Sequence, residues 1–488
     1  MLVNSEEYLR GVVRELLKLP SETEWVEFKC NNKDPNIIGE YISALSNSAA
    51  LCERPNAYLA WGINDDTHRV EGTDFQYRNM KKGNEELEAW LSRLVSPRID
   101  FRFYEVNMDE GKVVLLEIPY ADRQPIQFSG VEYIRVGSNK KKLKDYPDKE
   151  RTLWRTFDNT PYELRIAMND ISDDDIVGKL DYVRYYELLG LPIPRNTKKI
   201  IDDLENEKFV KKNDAGRWNI TNIGALLIGR DLKKFENLSR RSVRVIWYKG
   251  ASRLETIREE EFCSGYALSS DEIIKYIMTI IPQKEVINDA TRKSMVSFPE
   301  IAVRELLVNL LIHQDLQQRG SNPMVEVFEN RIEFSNPGAP LVEIARIVDT
   351  VPVSRNENLA GFMHRCGICE ERGSGYDKII DATGKNQLLA PRIENQNNQF
   401  TKAVLFSKVP FELTSKEDRI RTCYMQACLS YVNYEGITNS DVRFIFGLDE
   451  KEKTKASRII ANTVEAGLIK ALDPDTAPRY KKYVPYWA

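Results

Sequence analysis

Long apolar runs are missing from this 488-residue sequence. No stretch reaches the ~18 residues that a membrane-crossing helix needs, and the opening MLVNSEEYLRGVVREL reads as an acidic amphipathic helix, not a secretory leader. A chain with no membrane partner is expected. Cysteine is sparse too: seven, scattered along the chain, argue against a disulfide framework and point to reduced thiols in the cytoplasm. Net charge is small, since 70 Lys and Arg against 74 Asp and Glu leave −4, so nothing global pulls the chain toward nucleic acid. Any such binding has to come from local patches. Repeats and low-complexity tracts are absent.

What is there is ample apolar and charged material, 42% and 30%, over a length that fits three or four domains. Periodicity predicts an α/β (α+β) multidomain fold. Within a first domain, 1–155, residues 25–30 alternate as a strand. Trp25, Glu27 and Lys29 fall on one face, with Val26, Phe28 and Cys30 on the other. NIIGEYISALSNSAAL follows as an amphipathic helix carrying Ile37, Ile38, Tyr41, Ile42, Leu45 and Ala49, then AYLAWGI as a strand closed by a turn at 64–66. Residues 160–235 read as a small helical unit with a wing, and 236–412 as mixed α/β. Residues 413–488 run helix, helix, helix, strand, strand, the order of a winged helix-turn-helix.

SETEWVEFK, ISALSNSA, AYLAWGINDD and YIRVGS, in that order, resemble the Schlafen/AlbA-type domain of bacterial DNA-binding proteins. FPEIAVRELLVNLLIHQDL, VEVFENRIEFSNPG, RNENLAGFMHRCG and ERGSGYDKI resemble the C-terminal region that accompanies it in bacterial RecG-like regulators, a relative of the GHKL ATPase fold. The resemblance implies binding to nucleic acid, RNA or DNA. Some Schlafen members are metal-dependent ribonucleases acting on tRNA or rRNA, which here would imply a phage-defence or stress role. Many bacterial members are transcriptional regulators.

Five residues apart in a strict strand, Glu22 and Glu27 point to opposite faces, and they converge only if residues 21–23 form a turn. In nuclease Schlafens a glutamate, a second glutamate five residues on and an aspartate after the next strand make the catalytic and metal-holding set. The resemblance carries this set onto Glu22, Glu27 and Asp65, with Mg²⁺ or Mn²⁺ as the implied ion. Lys29 shares the face of Glu27, placed to contact a phosphate oxygen or an attacking water. Clustered carboxylates repel one another until a divalent cation arrives, and the cation then polarises phosphate and activates water. Where the family commonly reads GVDD this chain reads GINDD, so Asn64 stands in for the first aspartate and Asp65 or Asp66 is left as the ligand. The competing reading is an ion pair between Glu27 and Lys29 that supports the fold.

In IAVRELLVNLLIHQDL, Glu305, Asn309 and His313 recur every four residues on an otherwise apolar helix. Polar groups on a buried helix cost free energy unless something satisfies them. In GHKL ATPases this glutamate is the base and this asparagine holds Mg²⁺, and Gly373 and Gly375 of ERGSGYD could form a turn approaching phosphate. Together these four residues outline a nucleotide-like pocket and a nucleotide-gated switch. The adenine-reading aspartate is missing, however, because its place reads SNPGAP. ATP hydrolysis is therefore not expected, and a hydrogen-bond network linking Asn309 and His313 to the loop around Asn336 and Arg355 is expected instead.

The C-terminal unit presents Lys453, Lys455, Ser457 and Arg458 ahead of an apolar helix face, and Lys481 and Lys482 in a basic, aromatic wing. Recognition helices and wings contact nucleic acid in this way. The alternative for this module is dimerisation into a homo-oligomer. HRCGIC pairs a Cys-x-x-Cys with a histidine, but zinc needs two more ligands, so Cys366 and Cys369 are expected in the core. Three functions stand open: a metal-dependent ribonuclease, a non-enzymatic DNA-binding regulator and a nucleotide-gated switch.

Overall fold

The computed structural model describes residues 6–19, 23–65, 67–122, 124–159, 161–281, 284–288, 291–295, 298–318, 320–369, 373–477 and 479–488. It is mixed α/β throughout, and the chain divides into two compact units. The first comprises Met1–Pro161 with Asp170–Ser172 and Lys211–Asn219, and the second comprises the rest. Residues 160–235, read above as one small unit, are thus shared between the two. No helix among the described residues is long and apolar enough to cross a membrane.

In the first unit, strands Val26–Lys29, Asn56–Trp61, Lys112–Pro119 and Arg102–Asn107 lie side by side in that order. The first two are parallel, with Val26 opposite Tyr58, so the chain must cross over between them. It does so through the helix Pro35–Leu51, started by Asp34, whose side chain accepts the Asn36 amide, and by Pro35 in the first turn. A second sheet orders Asn139–Lys142, Val131–Val136, Gln127–Phe128 and Val95–Ser96, all antiparallel. The helix packs against both sheets.

That sandwich changes two expectations. The helix is not amphipathic over its second half, because every residue from Ile42 to Ala50 is buried. Nor does the strand 26–29 keep a solvent face: Trp25, Val26, Glu27 and Phe28 are all buried, and only Lys29 is partly open. In both cases the second sheet covers what local periodicity leaves exposed. Gly39 permits the approach, since a side chain there would collide with the Phe128 ring.

The second unit is built on a six-stranded sheet, in the order Thr256–Phe262, Val243–Tyr248, Met324–Val327, Arg331–Pro337, Phe400–Phe406, Arg392–Gln396. The helix Glu300–Ile312 packs on strand Arg331–Pro337 and on helices Tyr266–Ile280 and Gly375–Lys385. Beyond the sheet come helices Lys416–Val432, Asn439–Ile445 and Lys453–Glu465, then a hairpin of Ile469–Ala471 with Tyr483–Pro485. Ile437, Val442, Ile459, Ile460 and Ile469 hold this end together. Tyr483 also bridges to Ile437 ahead of the second helix.

Candidate functional site

Glu27 sits at the centre of the first unit's charge cluster with 2% of its surface exposed. One carboxylate oxygen contacts the Lys29 ammonium and the other the Arg135 guanidinium. Arg135 is fully buried on strand Val131–Val136, and its Nε also donates to the Gly137 carbonyl at 3.3 Å. Lys29 reaches on to Asp65, its Nζ 3.8 Å from Oδ2. Glu27, Lys29 and Asp65 are therefore brought together, while Glu22 and Asp66 lie outside the described residues. Mg²⁺ and Mn²⁺ require several oxygen ligands around one point. Among the described residues no three His, Cys, Asp or Glu side chains converge in that way, and cations hold both Glu27 oxygens. On their own the described residues do not fit such an ion.

The motif ISALSNSA explains how Arg135 reaches Glu27. Ser43 Oγ donates to the Ile126 carbonyl at 2.7 Å and accepts the Tyr133 amide at 2.9 Å. Asn47 donates to the Ile126 and Tyr133 carbonyls, both at 2.9 Å, and accepts the Ile126 amide at 2.7 Å. Ser48 Oγ accepts the Arg135 amide itself at 2.9 Å. Buried helix polars thus fix the backbone register of the strand that delivers the guanidinium.

A cationic rim surrounds this core. The Tyr41 ring has Lys29 at 5.6 Å, Arg135 at 5.7 Å and Lys140 at 4.6 Å from its centroid. Lys140 stands directly opposite Arg135 in the hairpin and pairs with Glu40. Lys141, Lys142 and Lys144 follow, all exposed. Reading motifs alone missed Arg135 and this lysine run. The run is visible as charge in NKKKLK, whereas the role of Arg135 depends on contacts a hundred residues apart.

His68 also gains a part. Its Nδ1 lies 2.8 Å from the Leu19 carbonyl and its ring meets Phe28 edge-on, which ties the chain ahead of the acidic strand to the turn after Trp61.

In the second unit Glu305, Asn309, His313, Gly373 and Gly375 all line one cavity of about 630 Å³. Glu305 lies 3.4 Å from the Lys378 ammonium. The expected satisfying network does not form: the Asn309 amide nitrogen has no hydrogen-bond partner among the described residues. Arg355 turns away to the Ala339 carbonyl and Asp315, and Asn336 donates to the Pro337 carbonyl. Burial, aided by the Arg355 charge, pushes His313 down to about 4, so it is neutral at pH 7.

At the C-terminal end the proposed basic contacts start the helix Lys453–Glu465 as expected, but they have acidic neighbours. Lys453 pairs with Glu450 at 3.0 Å, and Lys455 pairs with Glu452 at 2.6 Å and Glu412 at 3.5 Å. Arg458 and Lys482 are exposed, and Lys481 is half-buried. Cys366 and Cys369 are half-buried rather than core, and His364 Nδ1 lies 3.1 Å from the Cys369 carbonyl.

Residues 22–144 match the family model described as Schlafen, AlbA_2, and residues 320–404 match the one described as "Putative ATP-dependent DNA helicase recG C-terminal". No curated protein matches the chain. Among solved structures, the DIP2311 protein from Corynebacterium diphtheriae is similar over 96% of each chain, at 16% identity and a TM-score of 0.40. The Schlafen/AlbA_2 match supports a nucleic-acid-binding protein. The chain carries a Schlafen/AlbA_2 domain followed by a RecG-like C-terminal domain.

Proposed function

We propose that this protein binds nucleic acid, RNA or DNA, with the lysine-rich hairpin of its Schlafen/AlbA_2 domain meeting the phosphate backbone. The observation that carries this reading is the exposed lysine run Lys141, Lys142 and Lys144, which continues from Lys140 opposite Arg135 in the hairpin. Backbone contacts of this kind position a protein without reading sequence. A non-enzymatic regulator fits best, since Glu27 is engaged on both sides by cations. The C-terminal helices and hairpin, read as a winged helix, would add contacts through Arg458, Lys481 and Lys482. The test is binding of labelled tRNA and duplex DNA at two salt concentrations. Replacing Lys141, Lys142 and Lys144 with alanine should weaken binding and reduce the log–log salt slope on duplex DNA by about three units. Unchanged affinity and slope would sink this reading.

A second reading is a divalent-metal-dependent ribonuclease acting on tRNA or other RNA, with Glu22, Glu27 and Asp65 holding the ion. It is favoured by the convergence of Glu27, Lys29 and Asp65 at one strand end. For Glu27 to serve, Lys29 must leave it, which would free the ammonium for a phosphate oxygen. Cleavage of labelled tRNA that needs Mn²⁺, stops with EDTA and vanishes in folded Glu27→Gln would establish this reading. Its absence leaves the regulator.

A further inference from the structure

Between Pro337, where a strand ends, and Glu357, where the next α-helix starts, the chain forms one short 3-10 helix, Ile344–Arg346. A connection this long with so little regular structure is usually functional. Backbone hydrogen bonds around the 3-10 helix are local, from Arg346 to Glu343, Ile347 to Ile344 and Asp349 to Arg346. The two ends are pinned. The Gly338 amide donates to the Gln399 carbonyl at 2.6 Å, and Arg355 ties the far end to the Ala339 carbonyl at 2.9 Å. From the stretch between, Leu341, Val342, Ile347, Thr350 and Val351 line the cavity. Leu341, Val351 and Val353 also stay exposed to water, so burial does little to hold that part of the segment.

A second set of contacts comes from the C-terminal helices and hairpin, which belong to the same unit. Val348 is buried in one apolar core with Cys423, Cys428 and Ile437, and Ala345 and Ile347 pack against that core. From the helix Lys416–Val432, the Tyr424 hydroxyl donates to the Ala345 carbonyl at 2.5 Å. The same hydroxyl accepts from the Trp487 indole at 3.2 Å. The Trp487 ring also carries the Arg346 guanidinium, 4.8 Å from its centroid. Ile347 thus meets both the cavity and the C-terminal core.

We propose that residues 339–353 are a strap forming one wall of the cavity, and that Tyr424 and Trp487 are the latch holding this wall in place. Release of the latch loosens the wall while the ends at Gly338 and Arg355 stay pinned. By linkage, whatever displaces the strap from the cavity side weakens the Tyr424 and Trp487 contacts by the same free energy. The C-terminal helices and hairpin are then a control element for the cavity, in addition to any contact they make with nucleic acid.

Peptide-resolved hydrogen–deuterium exchange on the full chain tests this. Tyr424→Phe keeps the ring, removes the hydroxyl, and should speed exchange over 344–350 about fivefold. Trp487→Leu removes both the indole donor and the ring under Arg346, and should speed it about tenfold. In both variants exchange over Asn439–Ile445 and Lys453–Glu465 should match the parent, because the latch is lost and the fold around it is kept. If Trp487→Leu unfolds that end of the chain, Tyr424→Phe decides alone. Parent-like exchange over 344–350 in Tyr424→Phe, or a rise there matched by an equal rise over 439–465, would overturn the proposal.

Discussion

Glu27 is a carboxylate taken out of water and compensated on both sides, by Lys29 and by Arg135. Such an arrangement adds little net stability when intact, yet removing Arg135 leaves one buried carboxylate oxygen without its cation, with Lys29 still on the other. Arg135→Ala should therefore cost about 2–3 kcal/mol in urea unfolding, whereas Arg135→Met combined with Glu27→Leu should recover much of that loss. A structural cluster also predicts that millimolar Mn²⁺ leaves the melting temperature unchanged, whereas a metal site would raise it by mass action. His313 makes the pH prediction. Its folded value, about 4, lies below the ordinary 6.5, so the unfolded chain takes up the proton first as pH falls. Stability from this residue is complete above about pH 6.5 and is lost on the way down to about pH 4, by at most about 1.4 kcal/mol per pH unit. His313→Gln should remove that component, seen as a smaller difference in urea midpoint between pH 7 and pH 5.

At the scale of elements, the helix Pro35–Leu51 works as a template for the strand beside it. Asn47 alone makes three hydrogen bonds to the backbone of Ile126 and Tyr133. Asn47→Ala should cost about 3 kcal/mol, near 1 kcal/mol per bond lost, and should loosen Arg135 from Glu27, visible as faster amide exchange over 131–136. The two basic elements can be separated by salt dependence. Lys455→Ala with Arg458→Ala should flatten the slope less than the hairpin lysines do, because Lys455 already faces Glu412 and Glu452. These elements also show what was readable in advance. Alternation located the strand at 26–29, and four-residue spacing put Glu305, Asn309 and His313 on the cavity side of one helix. The burial of Glu27 was not readable, since the covering side chain comes from residue 135 and periodicity reports only the local face. The missing network around Asn309 has the same origin: spacing shows that polar groups align, not what stands opposite them.

For the molecule as a whole, the first unit is discontinuous in sequence, since Lys211–Asn219 belongs to it. From that segment the buried Asp214 accepts the Tyr58 hydroxyl at 3.1 Å, and Lys211 donates to the Glu53 carbonyl at 3.1 Å. Burial raises both carboxyls near this contact, Asp214 and Glu117. Asp214→Ala in the full chain should lower stability by about 1–3 kcal/mol in urea unfolding, because Tyr58 loses a buried acceptor. The same discontinuity sets a schedule during synthesis. A ribosome adding ~5–20 residues per second takes roughly 3–12 s to pass from residue 161 to residue 219, and through that interval the emerging domain waits for its last piece. Tyr58 and its neighbours stay open to chaperones for those seconds, and slow codons between 161 and 219 would lengthen the exposure.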